Sequence, residues 1–207
     1  MKRYDRAYFD RWYRGRHRVN SDAEIGRKVA MAVTIAEYFL RRPLRSVLDV
    51  ACGEGVWRAH LEALRPRVRY LGLDPSEYAV ERYGKERNLR HASFGDLAGL
   101  RLRGPFDLLV CSDAMHYMSE EELRAGLPEL VRLAGGTLYL EILTGEDSIV
   151  GDLHDFQKRP ARWYRTLFEE HGLTHVGPYT WIAPQLLDEV AELERPATAK
   201  RRAVPSR

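Results

Sequence analysis

The sequence predicts an α/β domain in which parallel strands alternate with crossover helices. Three observations predict it. Short runs rich in β-branched and apolar residues, SVLDV, VRYLGLD, FDLLVCS and GTLYLEIL, recur between stretches of helical periodicity. The first of these runs passes directly into a glycine-bearing turn, ACGEG, and then into an amphipathic segment. Two S-x-x-E signatures, Ser21 with Glu24 and Ser119 with Glu122, mark helix starts in which a hydroxyl and a carboxylate cap each other's backbone amides.

Taken in order, Met1 to Asn20 mixes aromatic and basic residues without a sustained period and reads as an arm or lid with some helix. A long amphipathic helix follows from Ser21 and ends before Pro43, with Ile25, Val29, Ala32, Val33, Ala36 and Phe39 on one stripe. Then come strand 46–51, helix 55–65, strand 68–74, helix 76–87 and a weak strand near 89–93. Strand 106–112 leads to helix 119–133, which the Gly135–Gly136 pair is expected to stop, and to strand 136–143. Helix 160–171, two short strands within HGLTHVGPYTWIA and a last helix over 184–194 complete the pattern. The expected organisation is an arm at 1–20, one domain at 21–194 and a disordered polar tail at 195–207.

The chain has 207 residues with 33 basic and 30 acidic side chains, a net charge of +3, which suits one domain and not a dedicated nucleic-acid binder. Its only cysteines, Cys52 and Cys111, end apolar runs, as reduced buried thiols of a cytoplasmic protein would. The apolar run VAMAVTIAEYFL is too short to cross a bilayer, so no membrane association is expected.

The turn after the first strand carries the chemistry. A dinucleotide fold would want G-x-G-x-x-G facing a diphosphate, but Arg58 stands at the third glycine position. Asp49 and Glu54 flank the loop; like charges a few ångström apart cost about 1–4 kcal/mol, so a phosphate is disfavoured. A cationic, phosphate-free nucleotide such as S-adenosylmethionine fits better. Asp74, at the tip of the second strand, is placed to accept ribose hydroxyls, and Asp96 in SFGDL to accept an adenine amino group.

In their order and spacing, VLDVACGEG, YLGLDPS, GDL, FDLLVCSDAMHYM, GGTLYLEI and FEEHGLTHVGPYTW resemble the class I S-adenosylmethionine-dependent methyltransferases, over about residues 20–183. The resemblance is to small single-domain members acting on small molecules. It implies a doubly wound, Rossmann-like sheet of seven strands, mostly parallel with the last antiparallel, and an N-terminal helical lid. It places Asp49, Ala51, Cys52, Gly53, Glu54 and Gly55 at the methionine end of the cofactor. Asp74, Pro75 and Ser76 fall at the ribose, Asp96 and Leu97 at the adenine, and Ser112 and Asp113 beside the sulfonium. Ala51 stands where many members have a first glycine.

His116, beside Asp113, is a candidate general base because an unperturbed imidazole titrates near neutrality. Tyr117, Glu141, His154, Asp155 and Phe156 lie after the fourth and fifth strands, where substrate contacts gather. Asp152, His154 and Asp155 make a weak case for a metal, and none is expected. In the arm, Tyr4, Tyr8, Phe9, Trp12 and Arg16 accompany Tyr13 and Arg18, the two expected to touch the cofactor through a cation–π contact and a carboxylate grip.

The expected function is methyl transfer from S-adenosylmethionine to an oxygen or nitrogen of a small molecule, releasing S-adenosylhomocysteine, by a monomer or homodimer. The alternatives are RNA or protein methylation, for which the basic arm speaks, and a non-catalytic cofactor-binding protein. A nicotinamide oxidoreductase is the rival cofactor reading, against which Arg58 and the acid-lined loop argue.

Overall fold

The computed structural model describes residues 3–14, 16, 18–149, 151–191 and 193. The tail at 195–207 lies outside the described residues. The arm forms a one-turn helix α1 (Arg6–Phe9), capped by the Asp5 carboxylate, which continues as a wider turn over Asp10–Arg14. Helix α2 (Asp22–Leu40) starts at Ser21, whose hydroxyl accepts from Glu24 N–H while the Glu24 carboxylate accepts from Ser21 N–H. It buries Val29, Ala32, Val33, Ala36 and Phe39, the stripe read from the sequence, and ends on Arg41 in the left-handed region.

Among the described residues seven strands make one sheet: β1 (Ser46–Val50), β2 (Arg69–Asp74), β3 (Leu89–His91), β4 (Phe106–Ser112), β5 (Ala134–Glu141), β6 (Thr174–Gly177) and β7 (Thr180–Ile182). Their order is β3-β2-β1-β4-β5-β7-β6. Neighbours from β3 to β5 pair in parallel, and β7 runs antiparallel to both β5 and β6. This is the expected Rossmann-like arrangement with the last strand reversed. Helices α3 (Trp57–Leu64), α4 (Glu77–Arg87), α5 (Glu120–Leu133) and α6 (Ala161–Glu170) cover its two faces.

Alternation along the strands divides the core in two. Val47, Leu108, Val110 and Tyr139 pack on one face with Val29, Val33 and Leu61 from α2 and α3. Leu48, Leu109 and Leu138 point the other way and pack with Leu127, Leu130 and Phe168 from α5 and α6. Strands buried on both faces need apolar side chains at successive positions, which is why β1 and β4 read as continuous runs.

Two expectations need correction. Gly135 and Gly136 do not stop a helix: α5 ends at Leu133, β5 begins at Ala134, and both glycines are strand residues. A Cβ on Gly135 would lie 2.7 Å from the Pro105 ring, and one on Gly136 would meet the Asp107 backbone. The glycines let β4 and β5 approach closely where their register shifts between Phe106 and Leu108. The final helix is shorter than 184–194, a 3₁₀ segment over Pro184–Glu189. Among the described residues no helix is long and apolar enough to cross a membrane.

Candidate active site

Successive strands step outward in opposite directions from β1 and β4, which opens a crevice at their carboxyl ends. A cleft of about 1280 Å³ lies there. That exceeds the 300–1,000 Å³ usual for one small ligand and leaves room for two.

The loop leaving β1 forms one wall. Ala51, Gly53 and Gly55 all have positive φ, at 56°, 56° and 70°. Holding alanine in the left-handed region costs about 1–2 kcal/mol. The coiled loop is pinned by Cys52 N–H to Leu73 O at 3.0 Å and by Gly53 N–H to Asp74 Oδ2 at 2.6 Å. The other Asp74 oxygen accepts from Ser76 N–H at 2.9 Å, so one carboxylate ties the loop to the start of α4. Asp49, near the end of β1, accepts from the Tyr70 hydroxyl at 2.8 Å.

Both carboxylates are buried. Burial pushes Asp49 up to about 7, opposed by the Tyr70 hydrogen bond and reinforced by the charge of Asp74. Burial likewise pushes Asp74 up to about 6, opposed by the Ser76 and Gly53 amides. A cation entering beside them relieves this cost, whereas a phosphate would add to it. The wall thus fits a cationic adenosyl ligand on its own chemistry.

The arm closes over this wall. A Cβ on Gly53 would lie 2.5 Å from the Tyr13 hydroxyl, so a larger residue at 53 would push the Tyr13 ring off the loop. Phe9 packs edge-on to Tyr13 at 4.9 Å and stacks on Tyr78 at 5.7 Å, and burial pushes the Tyr13 phenol well up. Ser76 Oγ donates to the Tyr4 carbonyl. Arg14 forms an ion pair with buried Glu54 and donates to the Tyr83 hydroxyl at 3.0 Å. Arg18 lines the cleft, but its Nε donates to the Asn20 carbonyl at 2.6 Å.

On the opposite side, Ser112 ends β4 and Asp113, at φ 57°, turns the chain with its N–H on Glu141 O at 2.9 Å. His116 is fully buried and does not line the cleft. Leu143 N–H donates to its Nδ1 at 3.3 Å, which places the ring hydrogen on Nε2, 3.6 Å from Asp113 Oδ1. The ring packs against Tyr117 and Phe156 at 4.3 and 5.3 Å. His116 therefore braces Asp113 and the loop after β5, and the expectation of a base facing the substrate is corrected. Tyr117 lines the cleft with its hydroxyl on the Asp152 carbonyl at 2.7 Å.

Several other expected residues stand away from the cleft. Asp96 curls back to accept from Ser93 N–H at 2.9 Å and Ser93 Oγ at 2.7 Å, and Leu97 is core. His91, Ser93 and Phe94 line that end instead. Gly55 packs behind the loop, where a Cβ would lie 2.8 Å from Leu89. Phe156 sits behind His116 and Tyr117, and His154 pairs with Asp155 at 3.2 Å on a shallower pocket of about 610 Å³ outside the cleft. Glu141 lies just behind the surface, bonded to Ser112 and Lys28. Cys52, Pro75, Ser76, Ser112 and Asp113 line the cleft. Among the described residues, no three His, Cys, Asp or Glu side chains are grouped to hold a metal ion.

Sequence reasoning missed Arg14, Lys28 and Tyr70. Lys28 had a signal: it lies three residues after Ile25 and four before Ala32, a charge on the stripe that α2 buries.

Residues 47–135 match the family described as Methyltransferase domain. This segment, which runs from β1 to the start of β5, is similar to methyltransferase domains. The chain is 34% identical over 109 residues, 51% of its length and 41% of the other's, to trans-aconitate 2-methyltransferase of Deinococcus radiodurans. It spans under half the length of the curated relatives it matches. Its fold is that of Streptomyces venezuelae DesVI, with a TM-score of 0.59 at 17% identity, covering 85% of this chain and 96% of that one. It is likewise that of magnesium protoporphyrin IX methyltransferase from Synechocystis with bound S-adenosylhomocysteine, at a TM-score of 0.54 and 18% identity, covering 86% and 94%.

Proposed function

We propose that the protein is an S-adenosylmethionine-dependent methyltransferase acting on an oxygen or nitrogen of a small molecule. The observation that carries this is the pair of buried carboxylates, Asp49 and Asp74, beside a loop coiled through Ala51, Gly53 and Gly55. Such a wall holds two carboxyls in their costlier environment and is relieved by a cationic ligand. The methyltransferase-domain match and the named relative support the same reaction class and a small-molecule acceptor.

The cofactor, when bound, supplies an electrophilic methyl group on a sulfonium. This chain's residues do the rest. Asp74 and the loop hold the adenosyl and methionine parts, Tyr13 and Phe9 cover them and exclude water, and Ser112, Asp113 and Tyr117 face the acceptor. Orientation of two bound reactants can supply most of the acceleration that methyl transfer needs.

Calorimetric titration with S-adenosylmethionine and S-adenosylhomocysteine tests this, with NADH as the control. Both adenosyl ligands are expected to bind and NADH not to. Saturation by NADH with no response to the adenosyl pair would refute the proposal.

A further inference from the structure

We infer that Lys28, Glu141 and Ser112 act together as a filter on the methyl acceptor, admitting a reacting atom that carries a hydrogen, a hydroxyl or an amine, and refusing a carboxylate. This rests on the methyl-transfer reading above.

Lys28 projects from the buried stripe of α2. Its Nζ lies 2.6 Å from Glu141 Oε1 and donates to Asn20 Oδ1 at 2.9 Å. Glu141 closes β5 at 8% exposure, and its second oxygen accepts the Ser112 hydroxyl at 2.5 Å. A carboxylate in an ion pair only accepts hydrogen bonds, and a serine hydroxyl has a single proton to give. That proton is committed to Glu141, so Ser112, which lines the cleft, presents lone pairs alone.

The residues around it reinforce the choice. Asp113, Asp152 and Asp155 line the cleft as well; of the cations that also line it, Lys28 is matched by Glu141 and Arg18 donates to the Asn20 carbonyl. An acceptor carboxylate would meet lone pairs and like charges there. A hydroxyl or amine instead donates to Ser112 and keeps a lone pair to direct elsewhere. Tyr117, Met118, Leu143 and Ile149 supply apolar surface for its body. Three residues far apart in the chain, on α2, β4 and β5, converge on this one polarity.

The test uses the full chain saturated with S-adenosylhomocysteine and titrated near neutral pH with phenol and with benzoate, which share a ring and differ in O–H against carboxylate. Phenol is expected to bind about tenfold or more tightly than benzoate, the usual penalty for facing acceptor with acceptor. Glu141→Gln removes the charge that holds the Ser112 proton and one negative charge behind the cleft, and should shrink the difference to about threefold or less. Lys28→Arg, which keeps a cation on Glu141, should leave it unchanged.

The affinity for S-adenosylhomocysteine, measured first, reports folding of both variants and separates the two readings. Failure of that ligand to bind the parent protein sinks the methyl-transfer reading, whereas the filter falls on the later arms. Benzoate binding as tightly as phenol, neither probe binding, or a preference untouched by Glu141→Gln would each overturn it.

Discussion

The two halves of the cleft are built in different ways. The half proposed to hold the cofactor is made by backbone: a loop in the left-handed region, two amides on Asp74, and a glycine against the arm. The half proposed to face the acceptor is made by side chains that reach across long separations, Lys28 to Glu141 and Tyr117 to the Asp152 carbonyl. Backbone geometry is dictated by local residue type, so it tolerates few changes. Paired side chains can be exchanged while the sheet beneath stays as it is, which is how one fold serves many acceptors.

The largest expected effect breaks the cofactor half alone. Asp74→Ala leaves the Gly53 and Ser76 amides without their carboxylate, and each such charged hydrogen bond contributes about 1.5–3 kcal/mol. Affinity for S-adenosylhomocysteine should fall about 100-fold or more by calorimetry. An unchanged dissociation constant would remove Asp74 from its role.

A second variant separates binding from stability. Burial raises the folded Asp49 carboxyl from its ordinary 3.8 to about 7. The folded protein thus keeps a proton that the unfolded chain has lost. This contribution is fully present below pH 3.8 and is lost as pH rises to about 7. Asp49→Asn, which stays neutral throughout, should be more stable than the parent at pH 8 by about 2–4 kcal/mol, with no gain at pH 3. The same change should weaken the cationic cofactor about tenfold. Thermal melts in which the gain does not grow between pH 3 and pH 8 would contradict the assignment.

The smallest effect concerns the latch between arm and loop. Arg14→Ala removes the ion pair with Glu54, a contact whose arginine is 39% exposed. Exposed pairs contribute about 0.2–1 kcal/mol, so cofactor affinity should drop about two- to fivefold. The loss should fade with added salt in calorimetry. A drop as large as that of Asp74→Ala would mean that the arm, and not the loop, dominates the cofactor half.

Much of the fold and the cofactor wall was legible in the sequence because their signals are local. The α2 stripe, both capping boxes, the doubly buried strands and the acid-flanked glycine turn all follow from residues within a few positions of one another. What escaped depended on contacts between distant segments. Gly135 and Gly136 read as a helix stop, yet their need is the closeness of β4. Asp96 read as an adenine contact, but it lies off the cleft lining with one carboxylate oxygen turned back onto Ser93. His116 read as a base, and only the Leu143 amide and the Phe156 ring, both after β5, show that it is sealed in. Lys28 gained meaning only once Glu141 stood opposite it.

The arm touches both halves. Its Tyr13 roofs Gly53, its Tyr4 carbonyl receives Ser76, and Asn20 at its far end steadies Lys28. A shortened version of the chain beginning at Ser21 would keep every strand and the α2 cap, and would look sound by its circular dichroism. It would nonetheless recognise donor and acceptor poorly at once, so trimming this protein for convenience would discard its selectivity along with its leading residues.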